Sequence, residues 1–79
     1  MNWEENKEDL QIISEFLNSD TWDTIVNDAV YTEDPDSVDL MEDILLRMKS
    51  AEYFLSVGAI TRHEMEVQQL ASMANNFIN

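Results

Sequence analysis

Residues 58–79, GAITRHEMEVQQLASMANNFIN, decide the fold. Gly58 can take the left-handed conformation that stops a helix. Thr61 and Glu64, three positions apart, have the spacing of a capping box, and Ile60 and Met65 stand at the two hydrophobic-staple positions. Val67, Leu70, Ala74, Phe77 and Ile78 then recur at helical spacing. The stretch predicts a helix from Thr61 to the end.

Upstream of Gly58, the apolar positions Val38, Met41, Ile44, Leu45, Met48, Ala51 and Leu55 mark a longer helix that starts at Asp36 or Ser37. With about three residues between them, these last two helices should form an antiparallel αα-hairpin. Pro35 disfavours helix at Asp34, so Thr32 to Pro35 reads as a loop. Before it, Asp20 is placed to cap a short helix ending near Tyr31, with Trp22, Ile25, Val26, Ala29 and Val30 on one face. The first helix should run from about Trp3 to Asn18, opened by Asn2 and Glu5 as a capping box, with Leu10, Ile13, Leu17 and Phe16 facing inward. No stretch alternates with the period of a strand. The chain is expected to be all-α, a small bundle of about four helices in one domain spanning residues 1–79.

Composition narrows the function. The chain has 79 residues, 44% of them hydrophobic, which is enough apolar content to fold rather than stay disordered. Cys is absent, so disulfides and thiolate metal sites are impossible. Apolar runs are three residues or fewer, far short of the roughly 20 that cross a bilayer. Met1 to Leu10 carries four acids and one Lys without an apolar stretch, so neither a secretory signal nor a transit peptide is expected there. An anionic membrane surface would repel the chain, and a cytoplasmic location is the simpler expectation. A chain below about 80 residues rarely gains more than ~3–5 kcal/mol from one core, and a homodimer would add buried surface.

The net charge is −13, and all of it lies in residues 1–43. That part holds fourteen carboxylates against Lys7 alone, while residues 44–79 balance Glu52, Glu64 and Glu66 against Arg47, Lys49 and Arg62. Direct nucleic-acid binding is excluded, because it needs clustered Lys and Arg on phosphates. Acids near helix starts have a local purpose, which covers Glu4, Glu5, Asp20, Asp23, Asp36 and Asp39. Glu8, Asp9, Glu15, Asp28, Glu33, Asp34, Glu42 and Asp43 have none. The pairs Glu4/Glu8 and Glu5/Asp9 are even placed against stability, each by roughly 0.2–0.5 kcal/mol.

Solubility alone would account for uniform acidity, but an acidic half joined to a neutral half points to a functional electrostatic surface. Carboxylates one helical turn apart are separated by about 6 Å, comparable with neighbouring phosphates on one strand. The expected function is therefore non-enzymatic: occupation of the basic nucleic-acid-binding surface of a protein partner. The face comprises Glu4, Glu5, Glu8, Asp9, Glu15, Asp28, Glu33, Asp34, Asp36, Asp39, Glu42 and Asp43. In size and charge the chain resembles phage-encoded anti-restriction and anti-CRISPR proteins, a resemblance that implies an inhibitor.

Other motifs fall short or compete. His63-Glu64 opens like HExxH, but position 67 is Val, so no second zinc ligand follows and His63 is expected at the surface or near a helix cap. A calcium loop from Asp34 would need Gly at its sixth position, which is Asp39, and an acid at its twelfth, which is Leu45. A recognition helix opened by Arg62 and His63 would bring Glu64 and Glu66 against phosphates. No metal, cofactor or catalytic residue is expected. A helical adaptor using an apolar groove, with Met48 and Met73 as adaptable contacts, is the alternative. Asp36-Ser37-Val38-Asp39 followed by Glu42 resembles the D-S-L-D-x-x-E motif of acyl carrier proteins, a likeness that implies phosphopantetheine on Ser37. Val38 replaces the usual Leu, and Asp43 and Arg47 stand where that family buries apolar residues, while an ordinary N-cap accounts for the same Ser.

Overall fold

The computed structural model describes residues 3–78, and side chains for residues 7–77. Its regular elements are four helices: α1 (Trp3–Leu17), α2 (Asp20–Tyr31), α3 (Pro35–Ser56) and α4 (Ile60–Ile78). The protein is an all-α bundle. The expected Asn2–Glu5 capping box lies outside the described side chains.

Each junction has a local chemical cause. The Ser19 hydroxyl donates to the Phe16 carbonyl at 2.6 Å and its oxygen accepts the Trp22 N–H at 3.2 Å. One extended residue thus closes α1 and caps α2, so the cap is Ser19 and not Asp20. At α3 the cap is Asp34, whose Oδ2 accepts the Ser37 N–H at 3.1 Å. Pro35 is then the first helical residue, where its missing N–H is no loss. The loop is therefore shorter than expected, and Ser37 lies inside the first turn rather than at the cap.

Gly58 ends α3 as expected, with φ 77°. The Ala59 N–H bonds to the Phe54 carbonyl at 2.8 Å and the Gly58 N–H to the Leu55 carbonyl at 3.2 Å, the two bonds of a Schellman motif. This turn delivers the Ala59 carbonyl as the first acceptor of α4, for the His63 N–H at 3.0 Å. Helix α4 consequently starts at Ile60, one residue before the expected cap. Thr61 and Ile60 are both helical, so neither the capping box nor the staple forms in its expected register, and Met65 is exposed.

The core joins Phe16, Ile25, Ile44, Leu70 and Ala74, one or two from each helix, with Ile12, Ile13, Trp22, Leu40, Met41 and Met73 around them. Phe16 is its centre, with ring centroids 5.5 Å from Trp22 and 5.6 Å from Phe77. Leu10, Val30, Leu45 and Leu55, all expected to face inward, are exposed. Their stripes are wider than the contact each helix finds.

Helices α3 and α4 form the expected hairpin; α1 packs on α4, α2 on α3, and α1 touches α2 only slightly. The molecule measures 41 × 25 × 15 Å, with a radius of gyration of 13.2 Å. A compact chain of this length would have about 11.6 Å. The bundle is thin, and its faces are correspondingly open.

Candidate functional site

The acidic half divides between two supports. On α2, α3 and the loop between them, the Asp28 carbonyl accepts the N–H of both Thr32 and Asp34 at 3.2 Å and the Thr32 hydroxyl at 2.6 Å. These bonds fold the turn back on the end of α2. They bring Asp28, Glu33, Asp34 and Asp36 together at one end of the α2–α3 pair, with Asp39 and Glu42 continuing along α3. Glu33 sits at the tip with φ 51°, a left-handed conformation disfavoured for a residue with a Cβ. All of these acids are exposed except Asp28, which is half-buried.

Glu8, Asp9 and Glu15 are carried separately, on α1. Asp9 lies beside Gln68, Ala71, Ser72 and Asn75 of α4, along a shallow groove. Glu15 accepts a hydrogen bond from the Gln11 amide at 3.4 Å. Glu4 and Glu5 lie outside the described side chains.

Besides Glu15, two further members of the expected face have internal partners. Asp34 caps α3. Asp43 Oδ1 lies 3.2 Å from Arg47 Nε, and Arg47 Nη1 lies 3.7 Å from Glu66 Oε2 on α4. Neither contact is aligned as a hydrogen bond, so Arg47 acts as a charge held between two carboxylates. These two are the ion pairs found among the described residues. Among the described residues, the exposed acids of α1, α2 and the α3 start therefore have no ion-pair partner.

His63 is where the structure departs most from the sequence reading. It is buried, at 8% exposure, and its Nδ1 donates to the Ala51 carbonyl at 2.8 Å. Ser37 is half-buried in the first turn of α3. The outward side of α3 is the feature that sequence reasoning missed. Leu46 and Tyr53 are 64% and 61% exposed there, beside Leu45 and Lys49. A groove of about 410 Å³ is lined by Glu42, Leu45, Leu46, Met48, Lys49 and Glu52, all of α3. The signal was present as a second apolar stripe, offset from the first.

Among the described residues, no three His, Asp or Glu side chains are grouped to hold a metal ion, and no helix is long and apolar enough to cross a membrane. Comparison with known protein families, with curated proteins and with solved structures finds no match to this chain.

Proposed function

We propose that this protein is a non-catalytic inhibitor that occupies the basic nucleic-acid-binding surface of a protein partner. The observation that supports this reading is the segregation of charge: residues 1–43 carry the whole net −13, and among the described residues their exposed carboxylates have no ion-pair partner. A cluster of unpaired acids self-repels and lowers stability, so a partner bringing Lys and Arg gains from relieving it. The α2–α3 tip supplies the densest part, from Asp28 through Glu42. The α1 carboxylates Glu8, Asp9 and Glu15 supply a second, smaller row. Association would be steered and salt-sensitive, as binding to DNA itself is.

The test is capture on the immobilised protein followed by elution with double-stranded DNA or RNA. On this reading the captured protein binds nucleic acid and is displaced by it. A captured partner that stays bound under excess nucleic acid would overturn the reading.

A further inference from the structure

We infer that the outward face of α3 is the interface of an antiparallel homodimer, with the two-fold axis passing between Leu45 and Leu46. This does not depend on the identity of any basic partner.

Three observations converge on a second copy as the occupant. The first is register. Helix α3 runs from Pro35 to Ser56, so its midpoint falls between Leu45 and Leu46, and a two-fold axis there overlaps the two helices along their full length. An antiparallel pair opposes residues placed symmetrically about that midpoint. Leu45 and Leu46 of the two copies then cluster around the axis, and Val38 lies level with Tyr53 of the second copy.

The second is charge complementarity. The same register sets Glu42 opposite Lys49 in both directions, giving two intermolecular ion pairs on either side of a four-leucine centre. Among the described residues neither Glu42 nor Lys49 has an ion pair within its own chain. Asp39 and Glu52 are opposed too, but they stand ~70° from the seam on opposite flanks, by the 3.6-residue turn, and do not meet.

The third is area. The chain exposes 5490 Å², about 550 Å² more than a compact monomer of its mass. That surplus is on the scale of one partner's share of a small specific interface, for which about 800 Å² is standard. On the outward face of α3, Leu46 and Tyr53, each more than half exposed, supply apolar area to such an interface. A dimer of moderate affinity follows.

The experiment is sedimentation equilibrium of the full chain from about 5 μM to about 1 mM, a range that brackets moderate affinities. The expected species at the upper end is a dimer of twice the 9.2 kDa chain. Glu42→Lys and Lys49→Glu each set like charges face to face and should weaken dimerisation about tenfold or more. An equimolar mixture of the two variants restores opposite charges at both contacts, so it should form a heterodimer close to wild-type affinity. Recovery in the mixture also shows that both variants are folded. A chain that stays monomeric at the upper concentration would overturn the inference and leave α3 to a different protein. A dimer indifferent to both reversals, or a mixture as weak as its components, would overturn it equally.

Discussion

His63 Nδ1 donates to the carbonyl oxygen of Ala51 across 2.8 Å, tying the first turn of α4 to the second half of α3. A carbonyl only accepts, so the proton is on Nδ1. The bond lies just beyond the Schellman turn at Gly58, and the two together fix the hairpin that the rest of the bundle packs against. His63→Ala removes the bond and opens a cavity beside it, and should cost about 1–3 kcal/mol. Chemical denaturation would measure it. Arg62→Ala, at the exposed neighbour whose guanidinium lies 5.7 Å from the Phe54 ring, should cost at most about 1 kcal/mol.

Backbone conformation separates two further positions. Gly58 has φ 77° with open space where a Cβ would go, so Gly58→Ala should cost about 1 kcal/mol through the backbone alone. Glu33 has φ 51° with a side chain already present. Glu33→Gly should therefore be neutral or stabilising by up to about 1 kcal/mol. The thermal unfolding midpoint should fall in Gly58→Ala and hold or rise in Glu33→Gly.

Asp34 separates structure from charge. Its carboxylate caps α3 through the Ser37 N–H, so Asp34→Ala should cost about 1 kcal/mol. Asp34→Asn keeps an N-cap acceptor and removes the charge, and should leave stability nearly unchanged. Affinity for the basic partner should fall in both variants, while the unfolding midpoint falls only in the first.

Much of the fold was legible because it rests on local signals. The four helices, the stop at Gly58 and the hairpin follow from periodicity and from the scarcity of Gly and Pro. The helix starts were displaced where two groups competed for one role: Ser19 against Asp20, Asp34 against Ser37, and the Schellman turn against Thr61. The burial of His63 and the exposure of Leu45 were not legible, since both depend on which neighbour covers a face. Periodicity marks an apolar face without saying whether its partner is in the same chain. The charge asymmetry was legible in full, but not the roles of Asp34 as a cap and Asp43 as a neighbour of Arg47.

The two associations should respond to salt with opposite sign. Two chains of charge −13 repel at long range, and added salt screens that repulsion, so dimerisation through α3 should tighten between about 50 and about 300 mM salt. Binding to a basic surface should weaken over the same range, by about tenfold or more. Light scattering and partner titration over one salt series would check both.

The most direct test of the acidic surface is the affinity of a captured, nucleic-acid-displaceable partner for variants neutralised in pairs. Glu8→Gln with Asp9→Asn, and Asp36→Asn with Asp39→Asn, remove charge without touching the Asp34 cap, the Arg47 contacts or the α3 seam. Each pair should weaken binding and flatten its salt dependence. The Glu8/Asp9 pair should leave stability unchanged or higher, because like-charge repulsion falls. The Asp36/Asp39 pair should cost up to about 1 kcal/mol by removing acids from the start of α3. Affinity indifferent to both pairs would contradict the account.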